Sequence, residues 1–312
     1  MELVDYEYKQ MLPVSFSKSF INYLNTNVNG SLCMVKSGEI LLPLLVRTRM
    51  KFKMGYFIHP PVKNGSRLSL EEEKEFFKLL VPFFKKNKQL DFIVPPLHLE
   101  NFHHIPDEAK GYKLSLINVQ LEDKTTDQIF ESFKSVYRRH IRNAEKANVM
   151  IKFGLEYFDD FYTIYSEKLK LENAVHDSYD TIKKIAFNTD EEINVQCGVA
   201  YLNGEIEAGV LNVSDASNAY YIFGGSSRNA HNGSFRLLHW ELIKKYKDEN
   251  LKSYKLGAYR EGEMLTSKHE RLASFKMGFG SEIQEGYHFT LILSPFKFWL
   301  YSIILKIKIY IP

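Results

Sequence analysis

Residues 194–226 constrain the fold more than any other stretch of this chain. NVQCGVAYL and EIEAGVLNVS are two strand-like runs joined by Asn203-Gly204, a dipeptide that suits a type I′ turn, so they predict a β-hairpin. NAYYIFGGSS reads as a third strand. After a polar loop, residues 235–249 have the periodicity of an amphipathic helix. LKSYKLGAY is then a strand, and residues 266–277 a helix with Gly278 as its left-handed terminal residue. SEIQEGYHFTLIL closes the series as a last strand.

Upstream, KLSLINVQL is a strand, and Thr125 and Gln128 stand in capping-box spacing at the start of a long helix. That helix is predicted to run to about residue 147, with Ile129, Phe130, Phe133, Val136, Tyr137, Ile141 and Ala144 in its apolar stripe. VMIKF is a short strand, followed by helices over 156–171 and 178–188. Three meandering strands leading into a helix and a further strand predict an α/β domain with a mixed sheet. This is the element order of the acetyltransferase (GNAT) fold.

The first 110 residues read as a degraded version of the same plan. SLCMVK and ILLPLLV flank Ser37-Gly38-Glu39 as a hairpin, and Pro43 predicts an edge strand or a bulge. KMGYFI is a strand. Residues 69–88 form an amphipathic helix capped by Ser69, with Pro82 expected to kink it, and LDFIVPP is another strand. Residues 98–110 read as a loop or a short helix. The 312 residues suit two domains. The expected division is 1–110 for a degraded GNAT-like domain, 111–294 for a GNAT-like catalytic domain and 295–312 for an apolar basic tail.

Composition removes several function classes. A net charge of +3 is too small to imply nucleic-acid binding by itself. Cys33 and Cys197 lie far apart in strand-like runs and read as buried thiols. His98, His103 and His104 lack companions at ligand spacing, so no metal is expected. No Gly-x-Ser-x-Gly elbow supports an acyl-enzyme. MELVDYEYKQML does not read as a secretory signal, which makes a cytoplasmic location the expectation.

Three stretches could carry chemistry. KSVYRRHIRNAEK places Lys134, Arg138 and Arg142 on one helix face with Arg139 and Lys146 beside it, a stripe suited to phosphate or to plain solvation. Gly224-Gly225-Ser226-Ser227, Arg228 and Asn232-Gly233-Ser234 lead into a helix whose free N–H groups could hold an anion, although Ser234 could equally serve as a cap. Ser274-Phe275-Lys276-Met277-Gly278-Phe279-Gly280 sets a lysine in a last helical turn, where dipole compensation is the structural explanation.

Together these blocks resemble the Fem-type peptidoglycan bridge-forming transferases. YRRHIRNAEKANV resembles their arginine-rich helix, and AYYIFGGSS…NGSFRLLHWELIKKY and FKMGFG resemble two further blocks in the same order. The resemblance covers about 115–285. It implies two tandem GNAT-like domains and transfer of an acyl or aminoacyl group to an amine of a cell-envelope precursor, a nucleotide- or lipid-linked intermediate of peptidoglycan or polysaccharide. Acyl-CoA or aminoacyl-tRNA would be the co-substrate, with no tightly bound cofactor and tRNA as a candidate partner. Lys276 of the Phe275-Lys276 pair would lie beside the donor's carbonyl or carboxylate, and Arg138, Arg139 and Arg142 near substrate phosphate. Tyr220, Tyr221 and His239 fall within the blocks without an assigned role. Two departures from the family pattern leave acyl-CoA open as the donor: Tyr254-Lys255-Leu256-Gly257-Ala258 replaces a Tyr-Asp-x-Gly-Gly pattern, and a coiled-coil arm is missing. The competing reading is a non-catalytic GNAT-fold module that binds phosphorylated glycans or lipids.

FKFWLYSIILKIKIYIP, the tail, is apolar and aromatic with interspersed lysines. It suits either an element packed back on the first domain or an amphipathic helix in peripheral contact with the inner membrane face.

Overall fold

A computed structural model describes residues 1–5, 12–95, 100–174, 177–187, 193–260 and 267–310. His98 and residue 188, the expected end of one helix, lie outside the described residues.

The first half contains β1 (Glu2–Val4), α1 (Lys18–Val28), β2 (Ser31–Ser37), β3 (Ile40–Arg49), β4 (Phe52–Phe57), the short β5 (Val62–Lys63) and β6 (Ser66–Arg67), α2 (Leu70–Asn87) and β7 (Phe92–Val94). Then come β8 (Ala109–Gln120), α3 (Thr126–Ser132), α4 (Ser135–Lys146), β9 (Met150–Phe153), α5 (Phe158–Leu171) and α6 (Tyr179–Ala186). The remainder is β10 (Asn194–Leu202), β11 (Glu205–Ser214), β12 (Asn218–Ser226), α7 (Ser234–Asp248), β13 (Ser253–Arg260), α8 (Ser267–Lys276), β14 (Glu282–Gln284), β15 (Tyr287–Ile292) and α9 (Pro295–Tyr310).

The described strands form one sheet in the order β1-β2-β3-β4-β7-β15-β8-β13-β12-β11-β10-β9. Read from its two ends, the sheet repeats itself. β2-β3-β4 is an antiparallel meander followed by α2 and the parallel strand β7, and β10-β11-β12 is a second meander followed by α7 and the parallel strand β13. These are two tandem GNAT-like units, joined where β15 and β8 pair antiparallel from Tyr287↔Lys113 to Leu291↔Ala109.

β8 serves both units, because its first residues pair with β15 and its later ones with β13 and β14. The division expected at 110/111 therefore falls inside a strand. The stretch expected as one final strand is split at Glu285-Gly286, and its second part, β15, completes the first unit beside β7.

Local chemistry explains most boundaries. Ser69 and Glu72 form a capping box on α2, and Thr125 and Gln128 form another on α3. Asn203 (φ 51°) and Gly204 (φ 84°) both adopt the positive φ that their turn requires. Pro43 differs from expectation: it lies in register with Met34 within the sheet. On the other side of β3 the partner changes from β5 at Leu41 to β4 at Leu44, so proline falls in the gap between two ladders.

The long helix expected over 125–147 is broken at Phe133-Lys134. Lys134 N–H donates to the Gly278 carbonyl at 3.0 Å instead of continuing the turn. Gly278 itself is not the left-handed residue. That role belongs to Gly280 (φ 62°), after a 3₁₀ turn over Met277–Phe279. A Cβ on Gly278 would lie 2.1 Å from the Tyr137 ring, so glycine is needed there for close approach.

The cores show how the units are bound together. Phe57, Phe77, Phe102 and Phe289 pack edge-on or tilted between α2 and the first half of the sheet. Each fully buried ring of this kind contributes about 1.5–3 kcal/mol. α1 crosses over, and its Phe20, Ile21, Tyr23 and Leu24 share a core with α5, α6 and the strands β10 to β12. α9 packs on the first unit through Phe298 and Tyr301 against Phe52 and Phe92.

Candidate active site

The parallel pairing of β12 and β13 covers only Asn218↔Ser253, Ala219↔Tyr254 and Tyr220↔Lys255. Past these residues both strands bulge. β12 shifts register against β11 between Asn212↔Tyr221 and Leu211↔Phe223, and β13 shifts against β8 between Lys255 and Ala258, around Gly257 (φ 95°). Bulges bend strands, and two of them drive these neighbours apart into a wedge that opens towards their C-terminal ends. In sheets of this kind a ligand enters where parallel strands separate, beyond their carboxyl ends.

Lys276 projects into this wedge. It ends α8, is 7% exposed, and its ammonium lies 3.0 Å from where a Cβ on Gly257 would stand. Among the described residues no side chain pairs with it, and burial pulls its pKa down to about 8. Lys168 on α5 approaches from the other strand, its stem 2.8 Å from the Cβ position of Gly225.

His239 on α7 is fully buried beside Lys276. Burial first, then the charges of Lys276 and Lys168, lower its pKa to about 3, so the ring is neutral. Asn212 Nδ2 donates to the phenol oxygens of Tyr246 (2.9 Å) and Tyr254 (3.0 Å). Tyr254 is left to donate to His239 Nδ1 at 3.0 Å, which places the imidazole proton on Nε2. Nε2 has no hydrogen-bond partner among the described residues, and the imidazole lies among the rings of Phe235, Tyr221, Phe279 and Phe275.

Phe275 is a wall of this chamber. It stacks on Phe235 with ring centroids 5.3 Å apart and planes 8° from parallel, and its carbonyl accepts from Tyr137 Oη at 3.1 Å.

The arginine stripe divides. Arg138 donates to the Glu131 carbonyl and, at 2.6 Å, to that of Phe133, bracing the break between α3 and α4. Arg142 lies over the Phe130 ring at 5.4 Å. Arg139 and Lys146 are exposed. Arg236, which the sequence pattern did not single out, sits above the Tyr137 ring at 4.5 Å and donates through Nη1 to Asn232, while its Nε is buried with no partner among the described residues. Its place in the first turn of α7, two residues after Ser234, was the available signal.

The start of α7 already holds an anion, and it belongs to the protein. The buried Glu207 carboxylate on β11 accepts from the His231 N–H and, at 2.9 Å, from the Ser234 hydroxyl. A carboxylate there suits the helix dipole. Gly233 serves helix crossing, since a Cβ would stand 2.1 Å from the His140 carbonyl oxygen on α4. Arg228 is exposed in the loop between β12 and α7.

Two of the three histidines weighed as ligands have ring partners of their own: His103 Nε2 lies 2.9 Å from the Leu68 carbonyl and His104 Nδ1 3.2 Å from the Glu73 carboxylate. Among the described residues no group of three His, Cys, Asp or Glu converges as a metal site would require.

Residues 131–264, which span the wedge strands, match the family described as an acetyltransferase (GNAT) domain. The crystal structure of FemX superposes with a TM-score of 0.70 at 13% identity, covering 96% of this chain and 99% of that one. The chain has a FemX-like fold. The same Fem-like architecture relates it to the C-terminal domain of a putative lysylphosphatidylglycerol synthetase from Agrobacterium fabrum, with a TM-score of 0.58, 12% identity, and 91% and 89% of the two chains covered. L-PGS from Bacillus licheniformis gives 0.51 at 11% identity over 83% of each chain. No curated protein matches the chain in sequence. The likeness to the Fem-type transferases within the GNAT-like group is thus one of fold, and it extends over the whole chain.

Proposed function

We propose that this protein transfers an acyl or aminoacyl group from an activated carrier, acyl-CoA or aminoacyl-tRNA, to an amine of a cell-envelope precursor, with Lys276 at the reacting centre. The observation that carries this reading is a buried ammonium, without a side-chain partner among the described residues, inside the wedge between two splayed parallel strands of a GNAT-type domain. The resemblance of the sequence blocks to the Fem-type transferases, and the name of the putative lysylphosphatidylglycerol synthetase, support an envelope acceptor.

In this reading the acceptor amine attacks the donor's ester or thioester carbonyl directly. The C–N bond forms as the carrier's oxygen or sulfur leaves with the electron pair of the broken bond, and the surplus amine proton passes to base. The Lys276 ammonium faces the oxyanion that develops on the carbonyl oxygen. Its attraction is strong because burial removes competing water. The aromatic chamber of Phe275, Phe235 and Tyr221 excludes water from the reactive carbonyl. Lys134, Arg139, Arg142, Lys146 and Arg228 are exposed cations that could meet a phosphate-bearing substrate.

Lys276→Met tests the assignment. With a donor and acceptor verified by mass spectrometry, transfer should fall about 10²–10³-fold, as for loss of an oxyanion partner elsewhere. Wild-type turnover should also decline as pH rises past about 8, where the ammonium loses its proton. A Lys276→Met protein that transfers at the wild-type rate sinks the assignment. Thermal-shift titration with CoA against charged tRNA separates the two donors.

A further inference from the structure

α9 has two faces, and only one is covered. Phe298, Tyr301 and Ile304 pack on the first unit's sheet beside Phe52 and Phe92. The opposite face carries Phe296, 70% exposed, Trp299, 58% exposed, and Leu300, 37% exposed, with the Phe296 and Trp299 rings stacked at 6.1 Å.

The surroundings of this face are basic. The segment from residue 294 to 312 contains Lys297, Lys306 and Lys308 and no acidic residue. The turn between β3 and β4 adjoins it, since Phe52 packs directly on Tyr301, and it exposes Arg49, Met50, Lys51 and Lys53. Asp91, the acid that touches the helix, is buried and already bound to Lys297 at 2.8 Å. Among the described residues no helix is long and apolar enough to cross a membrane. A helix fixed to the protein along one side, with a Trp-Phe-Leu surface on the other and a cationic rim, matches the chemistry of an anionic bilayer surface.

We propose that the outer face of α9, with the β3–β4 turn, seats this protein on anionic lipid. Trp299 and Phe296 enter the headgroup boundary while Arg49, Lys51 and Lys306 meet lipid phosphates. The proposal stands apart from the transfer reaction, and no residue of the wedge takes part in it.

The test uses the full chain and vesicles of phosphatidylcholine with and without phosphatidylglycerol. The full chain should co-sediment with the anionic vesicles, weakly with the neutral ones, and less at high salt, because screened charges no longer attract. Brominated lipid should quench Trp299 and spare the buried Trp240. The double variant Phe296→Ser/Trp299→Ser keeps the inward residues and should keep the wild-type melting temperature. Its vesicle affinity should drop about tenfold or more. Equal sedimentation of wild type and double variant, or none by the wild type, overturns the proposal. So does light scattering that shows a wild-type dimer dispersed by the variant without vesicle binding, which would make the face a contact between two copies.

Discussion

Burial holds the Lys276 ammonium at about 8, against an ordinary 10.5, and no acidic side chain among the described residues offsets that. The unfolded chain keeps this proton up to about pH 10.5 and the folded chain only to about 8, so this group makes stability rise with pH between those values. At about 1.4 kcal/mol per factor of ten, the gap is worth up to about 3 kcal/mol at pH 7. Lys276→Met should therefore stabilise the fold at pH 7 while it removes transfer, with the gain shrinking towards pH 10.5. Urea melts of both proteins at pH 7 and pH 10 measure this, and a Lys276→Met variant less stable than wild type at pH 7 would contradict it. At this scale the sequence was half legible. Lys276 and Phe275 were visible because they share one short block. Glu207, and the Asn212–Tyr254–His239 chain, were not, because each contact joins residues 15 or more positions apart.

Elements followed the sequence wherever their ends are made by neighbouring residues. The Ser69 cap, the Thr125 capping box and the Asn203-Gly204 turn all formed as expected, and Glu72 completes a second box at Ser69. The break between α3 and α4 has no glycine or proline to announce it. It is imposed by the Gly278 carbonyl, which captures Lys134 N–H, and by Arg138, which gathers the carbonyls left free at Glu131 and Phe133. The same contact makes Gly278 sensitive. Gly278→Ala places a methyl against the buried Tyr137 ring and should cost about 1–3 kcal/mol by overpacking. Chemical denaturation measures that loss; an unchanged midpoint would show that α4 and α8 are free to separate.

For the whole molecule, the join between units is partly ionic. Lys255 on β13 bonds Glu100 from the first half, and it lies over the Tyr220 ring at 5.1 Å. Burial would raise the Glu100 carboxyl, but Lys255, His59 and Arg67 hold it below the usual carboxylate range. Its contribution to stability is complete above the ordinary carboxylate value and is lost as pH falls through its own, lower one. Glu100→Gln should destabilise the protein by about 3–5 kcal/mol, because Lys255 is then left buried without its counter-charge. A melting curve unchanged from the wild type at neutral pH would show the pair to be dispensable.

What the sequence determined by itself was local in origin: which segments are strands or helices, the two-unit order, and the blocks around Lys276. Side-chain periodicity, caps and turns act over a few residues, so they can be read from one chain. Only the tertiary structure decided that β15 returns to complete the first unit, that α1 covers the second, and that two bulges open the wedge around Lys276. Those outcomes depend on which sheet edges and apolar faces meet across more than a hundred residues, and no window of sequence contains that choice.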